Sequence, residues 1–163
     1  MAGKTKNGRE GLEICLAAMQ AEHIEAVYLI EKLSFSTPWP KISFFNELQN
    51  DLAFYLVALK GKKVVGYAGM WLILDEAHVT NLAVHPDYRG LGIGRALMRE
   101  MIFRAAFLGA VRMTLEVRAS NRPAIALYQS LGFHREGRRK GYYEDTKEDA
   151  LIMWKELVLP DLV

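Results

Sequence analysis

Apolar and polar positions alternate along this chain with two different periods. Over residues 19–35, Ile24, Val27, Tyr28 and Ile30 recur at roughly helical spacing, with Glu22, Glu25, Glu31 and Lys32 between them, which predicts an amphipathic helix. Thr37-Pro38-Trp39-Pro40 ends it, because two prolines cannot continue a helix interior. A short helix is expected next, with Phe44, Phe45 and Leu48 turned inward. Residues 12–16 read as a first strand. The β-rich runs 54–59 and 64–74 flank Lys60-Gly61-Lys62, so they predict a hairpin.

The next run, 77–84, departs from strict alternation. Val79 starts one phase, whereas Leu82 and Val84 follow the other. An odd step in a period of two is what a β-bulge produces, although a fully buried strand with no bulge fits the same residues. After Gly94 the chain carries Leu97, Met98, Met101, Ile102 and Ala105 on one helical side and Arg95, Arg99, Glu100 and Arg104 on the other. Gly109 ends that helix as a left-handed cap residue does. Val111, Met113, Leu115 and Val117 then alternate with Arg112, Thr114, Glu116 and Arg118, a strand. Asn121 is a good N-cap and Pro123 is tolerated in a first helical turn, so a further helix follows to Leu131, stopped by Gly132. Residues 133–139 and 150–157 are the final strands, joined by a polar loop carrying Tyr142 and Tyr143.

Between the run 79–84 and the basic-faced helix lies Arg89-Gly90-Leu91-Gly92-Ile93-Gly94-Arg95. Glycine lets backbone N–H groups approach a ligand unobstructed. A helix start leaves its first donors unpaired at a positive end, which makes an anion site. The stretch therefore reads as a pyrophosphate cradle. A Walker loop would need Lys and then Ser or Thr after its last glycine, and here stands Arg95-Ala96. A dinucleotide fingerprint needs Gly-x-Gly-x-x-Gly, and the spacing here is Gly-x-Gly-x-Gly. Spacing alone leaves open a glycine-rich turn that binds nothing.

The bulk properties narrow the class. At 163 residues the chain makes one domain with a sizeable core, residues 12–163, after a loose polar tail at 1–11. A formal charge of +2 gives no strong pull toward nucleic acid. Cys15 stands alone, which excludes disulfide scaffolds and cysteine zinc sites and fits a reducing compartment. No apolar run approaches the roughly 20 residues needed to span a bilayer, and residues 1–11 lack the apolar core of a signal peptide. A cytoplasmic location is expected, with no membrane partner. His23, His78, His85 and His134 are scattered without metal-ligand spacing, so no metal is expected and none of the four is given a role.

The glycine stretch also carries a resemblance. Arg89 to Gly94 is similar to the Arg/Gln-x-x-Gly-x-Gly/Ala signature of the GNAT acetyltransferases. Leu115-Glu116-Val117-Arg118-Ala119-Ser120-Asn121, then Ala124-Ile125-Ala126-Leu127-Tyr128, then Leu131-Gly132-Phe133, resemble later motifs of that family in the same order. The branch most resembled is the N-alpha-acetyltransferases of bacterial ribosomal proteins. The resemblance implies a single α/β GNAT domain, a mixed twisted sheet with helices on both faces. It implies acetyl-CoA as cosubstrate, with Arg89, Gly90, Leu91, Gly92, Ile93, Gly94 and Arg95 at the pyrophosphate. It also implies Leu82, Ala83 and Val84 at the pantetheine through their backbone, and Asn121 at the CoA arm. Asn121 capping a helix is compatible with that role.

Acetyl transfer to an amine needs a neutral nucleophile. An α-amine titrates at about 7.7–8.0 and a lysine at about 10.4, so a base is useful. Glu116 matches the family's proton acceptor. An ordinary glutamate, near about 4.3, is a weak base, so burial or a relaying water has to assist it. The alternative is a surface charge paired with Arg112 or Arg118. Tyr128 falls where the family protonates the leaving sulfur; a phenol, near about 10, stays protonated at pH 7. The alternative for it is a core tyrosine in a stripe with Ala124 and Leu131.

Arg138-Arg139-Lys140-Gly141-Tyr142-Tyr143-Glu144-Asp145, followed by Glu148-Asp149-Ala150, resembles the loop that closes over the peptide in N-terminal acetyltransferases. It implies a protein N-terminus as acceptor, small-subunit ribosomal protein eighteen first, held by Tyr142 and Tyr143. A charged, solvated hairpin remains the alternative. Trp39 either touches the acceptor or anchors its loop. Acetylation of a lysine or a small amine, and a non-catalytic acyl-CoA-binding module, are the competing functions.

Overall fold

The structure, a computed structural model, describes residues 13–158; the tail expected at 1–11 lies outside them. Seven strands form one sheet in the order β1-β2-β3-β4-β5-β7-β6. They are β1 (Cys15–Ala18), β2 (Ala53–Lys60), β3 (Lys63–Ile73), β4 (Glu76–Val84), β5 (Arg112–Arg118), β6 (His134–Arg139) and β7 (Ala150–Glu156). The helices are α1 (Ile24–Ser34), α2 (Lys41–Leu48), α3 (Ile93–Phe107) and α4 (Arg122–Ser130). All neighbouring strands are antiparallel except β4 and β5, which run parallel. The sheet is mixed and carries helices on both faces, as expected.

Each face has its own core. Ile24, Val27 and Ile30 of α1 and Phe44 of α2 pack on Tyr55, Val57, Val64 and Tyr67. On the opposite face, Leu97, Met98, Met101, Ile102 and Ala105 of α3 pack on Leu56, Ala68, Met70, Met113 and Leu115. The five α3 residues are those of its apolar stripe. Burying the Leu, Met and Ile side chains among them contributes about 1.5–3 kcal/mol each, so α3 is a principal clamp on the sheet.

Several local expectations shift. The first strand lies at Cys15–Ala18 rather than 12–16, because it pairs with Leu56 to Leu59 of β2. The helix read over 19–35 starts as a 3-10 turn at Ala21–His23 and becomes α-helical at Ile24. In α2 only Phe44 is buried, whereas Phe45 and Leu48 are exposed. Phe44 meets the rings of Trp39 and Tyr67 at 5.7 and 5.8 Å. The short helix meets the sheet through the Phe44 ring and through Glu47, whose Oε2 accepts the Trp71 indole N–H at 2.6 Å.

The feature that makes a site is in β4. Gly69 of β3 pairs with Asn81 and Met70 pairs with Val79, so Thr80 is an extra residue: a bulge. Beyond it β4 leaves its parallel neighbour. Only Glu76, Ala77 and His78 pair with β5, at Arg112, Met113 and Thr114. β5 runs on to Arg118 alongside β7 instead. The two strands therefore form a V with its vertex at His78 and Thr114.

Candidate active site

The V opens into a cleft of about 860 Å3, lined from both faces of the sheet. Its walls bring together Trp39, Leu82, Glu116, Asn121, Tyr128, Tyr142 and Tyr143, seven of the residues singled out in the sequence. That volume is within the range of small-ligand sites, roughly 300–1,000 Å3.

Glu116 stands on the β5 face opposite Met113, Leu115 and Val117, with its side chain 30% exposed. Arg139 Nε lies 3.1 Å from its Oε1, and the Tyr142 hydroxyl donates to the same carboxylate, which raises the Tyr142 phenol above its ordinary value. The arginines considered as its surface partners are engaged elsewhere. Arg112 pairs with Glu76 at 2.6 Å and lies over the Trp154 ring, and Arg118 pairs with Asp145 at 2.9 Å. The ion-pair alternative thus finds a different arginine, one inside the cleft.

Tyr128 enters from the other side. Its ring is buried, edge-on to Phe133 at 5.9 Å, and burial raises its phenol well above the ordinary value, with Tyr143 adding to the shift. It belongs to the α3-side core and also borders the cleft, so packing and chemistry coincide at one side chain. Asn121 caps α4, its Oδ1 accepting the Ala124 N–H at 3.3 Å.

The glycine turn does not line the cleft; it follows directly where β4 leaves it. Ala83 is buried toward α1 and α2. Val84 offers its carbonyl to Arg89 Nε at 3.0 Å, while Arg89 Nη2 donates to Ser34 Oγ at 3.2 Å, so Arg89 fastens the turn. Gly90 and Gly92 have φ of 76° and 83°, left-handed conformations that favour glycine. Gly92 is the N-cap of α3, and the first bond of the ladder runs from the Ala96 N–H to its carbonyl at 3.0 Å. The N–H groups of Ile93, Gly94 and Arg95 precede that ladder, beside space left by glycine, which suits an anion. Ile93 itself is buried.

The loop between β6 and β7 is mostly exposed, yet specific contacts fasten it to its neighbours, and Tyr142 and Tyr143 border the cleft. Arg118 grips Asp145 through both guanidinium nitrogens, at 2.9 and 3.2 Å, and lies 4.0 Å over the Tyr143 ring. Glu148 accepts the Ser120 N–H at 2.7 Å and Asp149 the Gly141 N–H at 2.9 Å. Asp145 also accepts from Ser36 in the α1–α2 connection, so the two lips of the cleft touch. Ser36 and Arg118 hold the Asp145 carboxyl down to about 2. Burial pushes the Tyr143 phenol up to about 12.

Sequence reasoning passed over several lining residues. Trp71, His78, Thr114 and Trp154 pair in one register row across β3, β4, β5 and β7, and line the cleft at the vertex. Glu31 also lines it although only 2% exposed. Its Oε1 accepts the Trp39 N–H at 3.3 Å and its Oε2 accepts the Tyr67 hydroxyl. Burial raises its carboxyl, opposed by the Trp39 N–H and the Asn81 amide. A signal existed: Glu31 occupies a position seven residues after Ile24, inside an apolar stripe. Among the described residues no cluster of His, Cys, Asp and Glu could hold a metal, and no helix is long and apolar enough to cross a membrane.

A sheet split at a bulge, a glycine turn opening a helix beyond it, and an acid and a base candidate across the split define an acyl-group-transfer type of α/β domain. The chain belongs to the acetyltransferase (GNAT) family, whose model matches residues 24–133. It is 47% identical over 137 residues to the putative ribosomal protein bS18-alanine N-acetyltransferase of Bacillus subtilis, covering 83% of this chain and 91% of that one. It is 39% identical over 141 residues to the ribosomal protein bS18-alanine N-acetyltransferase of Escherichia coli, covering 85% and 94%. The crystal structure of the Escherichia coli enzyme matches with a TM-score of 0.84 at 35% identity, over 90% of this chain and 96% of that one.

Proposed function

We propose that this protein transfers an acetyl group from acetyl-CoA to the free α-amine of a protein N-terminus, with ribosomal protein bS18 as first acceptor. The observation that carries the reading is the placement of Glu116 and Tyr128 on the two sides of one cleft, beneath a loop pinned by Asp145. The names of the relatives support the acceptor. An acceptor of that kind supports a cytoplasmic location.

Acetyl-CoA supplies the acetyl thioester. The turn at Gly90 and Gly92 and the free N–H groups opening α3 are suited to its phosphates, and the cap residue Asn121 and the β4 backbone at Leu82 to its arm. Glu116, directly or through one water, accepts the proton released as the amine nitrogen bonds to the acetyl carbon. Tyr128, held protonated by burial, gives a proton to the sulfur as the carbon–sulfur bond breaks. Arg139 and the Tyr142 hydroxyl orient Glu116. Trp39, Tyr142 and Tyr143 form the walls around the acceptor's first residues.

The test is mass spectrometry of a peptide panel incubated with acetyl-CoA and the protein. The panel holds free-N-terminus peptides, including an Ala-first ribosomal one, the same peptides blocked at the N-terminus with internal lysines, and polyamines. Acetyl gained only on free α-amines is expected. Gain on lysines or polyamines would overturn the acceptor, and acetyl-CoA binding with no transfer would point to a binding module.

A further inference from the structure

One buried carboxylate spans the two halves of this cleft. Glu31 sits on α1, yet its oxygens face three other elements: the Trp39 N–H of the α1–α2 connection, the Tyr67 hydroxyl of β3, and the Asn81 amide of β4. Asn81 Oδ1 in turn accepts the Tyr55 hydroxyl at 2.9 Å, and that hydroxyl lies 2.8 Å from Oγ1 of Thr80, the bulge residue. Tyr55 reaches β4 only because its ring crosses Gly69, where an added Cβ would stand 2.1 Å from it. A chain of polar contacts therefore runs from the acceptor loop to the bulge that opens the sheet.

Burying a carboxylate is costly unless every oxygen is used. A purely structural helix would place an aliphatic side chain at this position of its apolar stripe. The carboxylate instead fixes two segments whose relative placement decides whether an amine meets the acetyl carbon. One is the backbone at Trp39, beside the acceptor. The other is β4 from Thr80 to Leu82, where the strand departs from β5.

We propose that Glu31 is a positioning residue that registers the acceptor loop at Trp39 to the β4 bulge at Asn81. The proposal rests on the acetyltransferase reading above and deepens it. An amide at this position cannot accept from every donor, because its NH2 group faces a donor in either orientation. Glu31→Gln therefore removes the negative charge that the Trp39 N–H and the Asn81 amide face and turns an N–H toward one of its donors, weakening the registering contacts while keeping side-chain shape. Misplacement on the scale of 1 Å costs on the order of a hundredfold in rate, so kcat falls by tenfold or more toward that limit and KM for the acceptor rises. KM for acetyl-CoA changes little where the Trp39 contact is the one weakened, and rises together with the acceptor KM where the Asn81 contact is, since Leu82 beside it is assigned to the CoA arm. Tyr67→Phe is the structural control: it removes one donor on the core side of Glu31, lowers Tm, and leaves both registering contacts and the kinetic constants in place.

The experiment measures kcat, both KM values and Tm for wild type, Glu31→Gln and Tyr67→Phe, with the best amine acceptor found for wild type. Amide hydrogen exchange is followed at Trp39 and at residues 80–82 in all three. Loss of kcat with a raised acceptor KM in Glu31→Gln alone, together with faster exchange at either segment, is the expected result. Unchanged kinetics in Glu31→Gln, or an equal loss in Tyr67→Phe, overturns the proposal. A wild type that acetylates no amine refutes the acetyltransferase reading instead. The exchange data then decide alone, and equal protection of both segments in Glu31→Gln and wild type sinks the registering role.

Discussion

Tyr128→Phe separates chemistry from packing at the one side chain where the two coincide. The Tyr128 ring is buried and meets Phe133 edge-on at 5.9 Å. Phenylalanine keeps that ring and that contact. Among the described residues no hydrogen bond to the Tyr128 hydroxyl is found, so its removal orphans no partner and the stability change stays within about 1 kcal/mol. A chain of this size then shifts in Tm by at most about 2–4 °C. If the hydroxyl is the proton donor to sulfur, its loss removes general-acid catalysis, about 10²- to 10⁴-fold in kcat. That equals about 2.7–5.4 kcal/mol on the barrier. The two outcomes differ by more than a kcal/mol, which released thiol measured at saturating acetyl-CoA and thermal melts resolves. Burial also raises the phenol, so the acid form persists through alkaline pH and kcat in wild type shows no fall from this group up to about pH 10. A Tyr128→Phe protein with kcat within a few-fold of wild type would refute the assignment and leave Tyr128 a core residue.

Glu116→Gln lowers kcat/KM by about 10²-fold or more at neutral pH, and the deficit shrinks as pH rises past the α-amine value of about 8, because the acceptor then loses its own proton. A loss that stays constant from pH 7 to 9.5 would count against a base. Gly92→Ala places an L side chain at φ 83° with no neighbouring atom near its Cβ, so the cost is backbone strain of about 1–2 kcal/mol; Tm falls and KM for acetyl-CoA rises, measured by melts and initial rates. The Asp145 carboxyl is held at about 2, below its usual value of 3.8. A depressed folded value means that its contribution is complete above the unfolded value and is lost as pH falls through about 2. A carboxyl 13C titration of Asp145 checks this, Ser36→Ala should move the midpoint upward, and a wild-type midpoint near 3.8 would contradict it.

The elements legible in the sequence are those whose signal is local. The β2–β3 hairpin was marked by Lys60-Gly61-Lys62, and the α3 stripe by five apolar residues that are all buried. The phase slip after Val79 corresponds to the bulge at Thr80. Periodicity says which side of an element is apolar, but not how far the neighbouring layer extends. Phe45 and Leu48 read as buried for that reason, though Phe44 is the one apolar side chain α2 buries, and its other tie to the sheet is polar, from Glu47 to Trp71. The loop clasp was out of reach too, since Ser36 and Asp145 meet across 109 residues.

The partner of Glu116 shows why a site needs the sheet order as well as the motifs. Arg112 and Arg118 share its face of β5, and a strand rises only about 3.3 Å per residue, so both are plausible partners from sequence. Neither takes it, because each meets a carboxylate brought by another element: Glu76 across the parallel pairing, and Asp145 from the loop after β6. β7 lies between β5 and β6, with Ile152 opposite both Glu116 and Gly137. That order brings the end of β6, and with it Arg139, to the open side of the cleft. Had β4 stayed straight at Thr80, its next residues would have continued to pair with β5 beyond Thr114, closing the gap that Leu82, Glu116 and Tyr128 now border. The bulge therefore matters to the proposed chemistry as much as the carboxylate does, because it leaves Glu116 open to a molecule lying between the strands.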